Sequence, residues 1–117
     1  MTEPIQIFHN PRCSKSRQTL ELLTERGIEP EIIRYLETPP TEQELSDILE
    51  TLGRQPRELM RIGENEYKEL GLDNPDLSRA QLIAAMVATP KLIERPIVLA
   101  NGKAALGRPP ENVLTIL

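Results

Sequence analysis

The sequence predicts an α/β fold, in which helices flank a four-stranded mixed sheet and a helical insertion separates the second strand from the third. Three patterns predict it: a strand–helix–strand segment at the start, a block of amphipathic helices in the middle, and a hairpin followed by a helix at the end. A right-handed crossover makes the first two strands parallel, whereas the hairpin adds antiparallel strands. A chain of 117 residues suits one domain, which we expect to span residues 1–117.

The opening segment is defined by its apolar runs and by the residues that break them. Apolar residues within positions 5–8 predict a strand that ends at His9. The amphipathic pattern after Cys13 predicts a helix, and Gly27 is placed to end it. A second strand is predicted over residues 31–36, before a pair of prolines. Cys13 is therefore expected where the first strand leads into the first helix.

Two capping boxes begin the longer helices of the middle block. In one, Thr41 is followed by Glu44, and in the other Ser78 is followed by Gln81. Behind the first box, apolar residues repeat at the spacing of one helix face: Leu45, Ile48, Leu49 and Leu52. Two short helices are predicted between the longer ones, over residues 56–60 and 65–70. These helices make up the predicted insertion.

An Asn-Gly pair predicts a β-hairpin near the end of the chain. Asn101 and Gly102 supply the positive φ angles of a type I′ turn between strands predicted over residues 97–100 and 103–106. A last helix is predicted to start at Pro110. Its inward-facing residues are expected to be Val113, Leu114 and Leu117.

This order of elements is that of the thioredoxin-like fold. In that fold a cis-proline precedes the third strand and lies beside the active cysteine. Pro96, which follows Arg95 immediately before the third predicted strand, is the cis-proline candidate. We therefore expect Pro96 to lie near Cys13.

The charge balance argues against two classes of partner. Fourteen Lys and Arg against eighteen Asp and Glu give a net charge of −4, and the isoelectric point is near 5.1. Such a chain has no overall basic field for nucleic acid or for anionic membranes. No apolar run approaches the roughly 20 residues of a spanning helix, and residues 1–4 show no signal-peptide pattern. We expect a cytoplasmic monomer that binds neither nucleic acid nor membrane.

The chain has one cysteine, Cys13, and one histidine, His9. It can form no intrachain disulfide, and these two residues cannot complete a structural zinc site, so we expect no bound metal or cofactor. Ser16 makes the motif Cys-x-x-Ser, in which the second cysteine of a Cys-x-x-Cys pair is missing. Any oxidised Cys13 must then be reduced by an external thiol.

The surroundings of Cys13 favour a reactive thiolate over an inert buried thiol. A helix that starts here offers free N–H groups and the positive end of its dipole. Three cations lie close in sequence: Arg12, Lys15 and Arg17. His9 can hydrogen-bond across the loop or act as a cation, and the Ser16 hydroxyl can bond the thiolate. A structural role for either residue remains open.

Five short blocks of sequence occur in order from near residue 5 to the C-terminus. The first, over residues 9–17, contains His-x3-Cys-x3-Arg. The other blocks are Tyr35–Thr41, Tyr67–Leu72, Arg95–Val98 and Arg108–Pro109. Together they resemble the ArsC family of glutaredoxin-linked arsenate reductases over nearly the whole chain. Ser14 and Lys15 depart from this pattern, because well-known members often carry Gly-Thr there.

The resemblance implies a thioredoxin-like fold in which Cys13 attacks arsenate. It assigns catalytic roles to His9, Cys13, Ser16 and Arg17. It assigns the arsenate oxyanion to Asn10, Arg61, Arg95 and Arg108. Glutathione would add to the bound arsenic as co-substrate, and glutaredoxin would take the resulting mixed disulfide while arsenite leaves. His9 would favour the thiolate form of Cys13.

Two other functions compete with arsenate reduction. A monothiol glutaredoxin-like oxidoreductase would suit Cys-x-x-Ser, but it has no use for three oxyanion arginines. A non-enzymatic adaptor like the Spx regulators, which bind RNA polymerase, typically uses Cys-x-x-Cys as a redox switch, and Ser16 argues against it. The sequence therefore favours the arsenate reductase.

Overall fold

The computed structural model describes residues 4–117. Its strands are β1 (Gln6–Phe8), β2 (Glu31–Ile33), β3 (Ile97–Ala100) and β4 (Lys103–Leu106). Its α-helices are α1 (Ser14–Glu25), α2 (Glu42–Leu52), α3 (Pro56–Leu59), α4 (Asn65–Glu69) and α5 (Arg79–Ala88). Two 3₁₀ helices cover Pro90–Leu92 and Pro110–Ile116. Residues 1–3, part of the segment judged for a signal peptide, lie outside the described residues.

The backbone divides into two compact units. The first combines the chain up to Thr38 with Arg95–Leu117, and it carries the sheet, α1 and the C-terminal 3₁₀ helix. The second, Pro39–Glu94, carries α2 to α5 and is the helical insertion predicted between the second and third strands. That residues 1–117 form one domain stays a prediction.

The sheet has the strand order β2–β1–β3–β4. β1 pairs in parallel with β2, where Ile7 lies opposite Ile32, and antiparallel with β3, where Ile7 lies opposite Val98. β3 and β4 form the antiparallel hairpin, and Asn101 in its turn has φ +53°. The predicted four-stranded mixed sheet is confirmed.

The first unit is held together by one apolar cluster between the sheet, α1 and the C-terminal 3₁₀ helix. Ile7, Leu23, Val98 and Val113 are fully buried in it. Full burial of an aliphatic side chain contributes about 1.5–3 kcal/mol. The cluster therefore holds α1 against the sheet, and the N-terminal end of α1 carries Cys13 as its N-cap residue.

Both predicted capping boxes form in the second unit. Thr41 Oγ1 accepts a hydrogen bond from the Glu44 amide at 3.1 Å, and Glu44 Oε1 accepts one from the Thr41 amide at 3.3 Å. Ser78 and Gln81 make the same reciprocal pair, at 3.2 Å and 2.8 Å. Each box satisfies N–H groups that would otherwise lack partners at a helix start.

Two predicted elements differ in the structure. The second strand ends at Ile33 rather than at residue 36, because the amides of Glu37 and Thr38 both donate to the Arg34 carbonyl and close a turn. The final helix is a 3₁₀ helix, with about three residues per turn. Pro110, Val113 and Ile116 are the buried residues of this helix; of the three residues predicted to face inward, Val113 is buried, Leu114 is partly buried and Leu117 is exposed.

The helices of residues 4–117 include none long and apolar enough to cross a lipid bilayer.

We expect Thr41→Ala to lower the free energy of unfolding by about 1 kcal/mol, because the substitution removes the oxygen that caps α2. Thr41→Ser keeps the hydroxyl and should cost much less. Urea unfolding of the two variants measures the difference. Equal losses would contradict the capping role.

Candidate active site

Cys13 is the N-cap residue of α1 and is 8% exposed. Its amide donates to the Asn10 carbonyl at 3.0 Å, and its carbonyl accepts from the Arg17 amide at 3.0 Å. The side chain makes no capping hydrogen bond to the helix. The backbone thus holds Cys13 beside the positive end of the helix dipole while its sulfur remains available for other partners.

The cation that contacts the Cys13 sulfur is Arg108, which lies 95 residues away in sequence. Its Nη2 is 3.8 Å from Cys13 Sγ. Its Nε donates to the Arg95 carbonyl at 2.9 Å, and its own carbonyl accepts from Asn112 Nδ2 at 3.0 Å. A guanidinium held in this way places a fixed positive charge beside the sulfur. Sequence proximity pointed instead to cations near Cys13 in the chain.

Gly107 allows the segment before Arg108 to approach α1. A Cβ at Gly107 would collide with Thr19 Oγ1 and would lie 2.7 Å from Pro96 Cγ. The Gly107 amide donates to the Pro96 carbonyl at 2.9 Å. The peptide bonds before Pro96 and Pro109 are both cis. The sequence did not predict a role for Gly107. Its position directly before Arg108-Pro109 is the signal that could have indicated one.

Arg95 is 9% exposed, and its Nε and Nη1 atoms are shielded from solvent. Arg108 as a whole is exposed. The two arginines are linked through the Arg95 carbonyl, so both belong to the surroundings of Cys13. A buried guanidinium is costly to desolvate, which makes it an unusual choice for a purely structural position.

His9 and Ser16 form a buried pair behind the loop. His9 Nδ1 lies 2.6 Å from Ser16 Oγ, which also accepts a hydrogen bond from the Asn10 amide at 3.0 Å. Burial lowers the pKa of His9 below its ordinary 6.5, and the charges of Arg34 and Arg17 lower it further. His9 is therefore neutral at pH 7. Of the two roles considered for it, the hydrogen bond across the loop is the one that this geometry supports.

Two other predicted site residues, Asn10 and Arg17, make hydrogen bonds within the loop before α1. Asn10 Oδ1 accepts from the Arg12 amide at 3.0 Å, and Arg17 Nη1 donates to the Pro11 carbonyl at 3.1 Å. Both contacts stabilise the loop before α1.

Arg61 belongs to the second unit and is held by two carboxylates there. Its Nη1 is 3.3 Å from Glu64 Oε1, and its Nε is 3.9 Å from Glu94 Oε1. Neither partner was predicted from the sequence, although Glu64 follows Arg61 at a spacing of three residues, which is common for ion pairs.

The described residues contain no group of three or more His, Cys, Asp or Glu side chains that could hold a metal ion. In the first unit, the Cys13 sulfur has the Arg108 guanidinium in contact with it, and the neutral His9 is bonded to Ser16 in the same loop and helix start. Such a site suits nucleophilic attack by sulfur on an electrophile that carries negative charge.

Comparison with known proteins gives one consistent result. A sequence profile of the ArsC family matches residues 8–116. The Escherichia coli (strain K12) protein named "Uncharacterized protein YfgD" is 59% identical over 118 residues, which cover 100% of this chain and 99% of the relative. An arsenate reductase of Neisseria meningitidis serogroup B is 58% identical, with 97% of each chain covered. The solved structure of an arsenate reductase from Vibrio cholerae has a TM-score of 0.96 and 52% identity over 100% of both chains. The chain belongs to the ArsC family.

Proposed function

We propose that the protein is an arsenate reductase that uses Cys13 as its nucleophile. The observation that carries this proposal is the contact between Arg108 Nη2 and Cys13 Sγ, because it joins a nucleophilic sulfur to a cation able to bind an oxyanion. The names of the Neisseria and Vibrio relatives support the choice of arsenate.

In the first step the Cys13 thiolate attacks arsenic. A sulfur–arsenic bond forms, an arsenic–oxygen bond breaks, and the oxygen leaves as water once it is protonated. Arg108 and Arg95 hold the remaining oxygens, and their fixed positions align arsenic with sulfur. For Arg108 the support is its tether to the Arg95 carbonyl, which limits the movement of the guanidinium. Asn10 and Arg61 are proposed as further oxyanion ligands on the resemblance alone.

The reducing thiols come from outside the chain. Reduction of arsenate to arsenite takes two electrons, which two thiols supply when they form one disulfide. The chain has a single cysteine, so at least one of those thiols must belong to another molecule. We assign the external thiols to glutathione, which adds to the bound arsenic, and to glutaredoxin, which takes the mixed disulfide as arsenite leaves. These reductants suit a monomer that works in the cytoplasm.

The remaining catalytic residues act through the loop before α1. Neutral His9 holds the Ser16 hydroxyl, whose oxygen accepts from the Asn10 amide, and Arg17 donates to the Pro11 carbonyl. In this role His9, Ser16 and Arg17 are positioning residues, which keep Cys13 at the N-terminus of α1.

We expect the purified protein to reduce arsenate in the presence of glutathione and glutaredoxin, and Cys13→Ser to abolish turnover because serine is the weaker nucleophile. NADPH oxidation coupled through glutathione reductase measures the rate. Wild-type protein no faster than Cys13→Ser would overturn the proposed activity. Reduction of glutathione mixed disulfides without reduction of arsenate would favour the glutaredoxin-like alternative.

We expect Arg108→Gln to raise the KM for arsenate by roughly tenfold in the same coupled assay, because the substitution removes a charged donor beside the Cys13 sulfur. Arg26→Gln, at the far end of α1, is the matched control and should leave the KM unchanged. An unchanged KM for Arg108→Gln would contradict the role.

We expect folding stability to fall as the pH drops below about 6.5, because His9 has a lower pKa in the folded protein than in the unfolded chain. The unfolded chain then binds the proton first. His9 is the only histidine, so His9→Gln should remove most of this slope. Urea unfolding between about pH 7.5 and about pH 5.5 measures it. An identical slope in the variant would show that other groups cause it.

A further inference from the structure

We propose that four exposed cations, on the loop before α1, in the first turns of α1 and just after β2, form the docking site for the carboxylates of a small anionic thiol of the glutathione class. We call them the basic rim: Arg12, Lys15, Arg17 and Arg34. This inference rests on the proposed function, since it concerns the thiol that reacts at Cys13.

The charges of α1 are arranged against its own dipole. Cations occupy its first turns, with Lys15 and Arg17, and carboxylates occupy its later turns, with Glu21 and Glu25. A helix dipole favours the opposite order, because the N-terminus is its positive end. By contrast, α2 begins in the favoured way, with Glu42 in its first turn. Stability alone therefore does not explain the cations at the start of α1, whereas a need for positive potential at Cys13 does.

The rim cations are available to a ligand. All four side chains are exposed, and among residues 4–117 none of them forms a salt bridge. Arg17 is held by the Pro11 carbonyl, so its position is defined. The His9 amide donates to the Ile33 carbonyl at 2.8 Å, so Arg34, the next residue, lies at the same end of the sheet as the loop before α1.

The position of the rim favours an extended anion over a compact one. Cys13 is buried, and the cation in contact with its sulfur is Arg108. The rim residues lie further out, in the solvent-exposed layer, where the carboxylates of a tripeptide thiol would extend while its sulfur reaches Cys13. The chain carries a net charge of −4, so most of its surface repels such a ligand. A local cluster of cations overcomes that repulsion at one place.

The test uses a reaction that contains no arsenate. Cys13 is first converted to its mixed disulfide with 2-thiopyridine by exchange with 2,2′-dithiodipyridine, which releases one pyridinethione that is removed before the assay. Glutathione thiolate then attacks Cys13 Sγ, so a Cys13–glutathione disulfide forms, the bond to the pyridyl sulfur breaks, and pyridinethiolate leaves with the electron pair and takes up a proton. The released pyridinethione absorbs light, which gives the rate. The diethyl ester of glutathione presents the same thiol without its carboxylates and is the matched probe.

The rim variant is Arg12→Gln/Arg34→Gln. Its control is Arg26→Gln/Lys103→Gln, which removes the same charge from exposed residues of the same unit. Arg26 lies at the C-terminal end of α1, and Lys103 lies at the hairpin end of the sheet.

We expect the rate with glutathione, divided by the rate with its diethyl ester, to fall about threefold to tenfold in the rim variant and to stay constant in the control. Added salt should reduce the wild-type ratio toward that of the variant. An unchanged ratio would overturn the proposal, and so would equal losses with both thiols, which would mean that the rim acts on the Cys13 disulfide in general. Failure of the arsenate assay would leave this result intact, so the two proposals fail separately.

Discussion

The close approach of Gly107 to α1 and to Pro96 is the constraint on which the site depends. No side chain fits at this position, because a Cβ would meet Thr19 on one side and the Pro96 ring on the other. The Gly107 amide donates a hydrogen bond to the Pro96 carbonyl, so the two segments that flank the β3–β4 hairpin meet beside Thr19 in the middle of α1. Arg108, the next residue, is thereby brought within reach of the Cys13 sulfur.

The surroundings of Cys13 are positively charged, although the whole chain carries a net negative charge. Arg108 donates from Nε to the Arg95 carbonyl and contacts the Cys13 sulfur through Nη2. The exposed cations of the basic rim lie in and near the loop before α1. The single histidine does not add to this charge, because burial and nearby arginines keep it neutral. A net charge of −4 and a cationic site coexist because contacts of a few ångströms outweigh distant, screened charges.

The capping and turn predictions succeeded because they depend on local sequence. The capping boxes at Thr41 and Ser78 formed, since their hydrogen bonds join residues three apart. The Asn101-Gly102 turn formed for a similar reason. The second strand was predicted too long because strand propensity continues to residue 36, whereas the backbone bonds to the Arg34 carbonyl end it earlier. In the last helix, Ile116 took the inward position predicted for Leu117, because the helix is wound as 3₁₀.

The sequence by itself determined the strand and helix order, the mixed sheet, the place of Cys13 at a helix start and the resemblance to the ArsC family. These follow from periodicity, capping and short motifs, whose physics acts over a few residues. Only the tertiary structure decided that Arg108 contacts the sulfur, that Ser16 bonds His9 and the Asn10 amide, and that Gly107 must lack a side chain. Those contacts depend on the packing of segments far apart in sequence, and no local pattern encodes which atoms will meet.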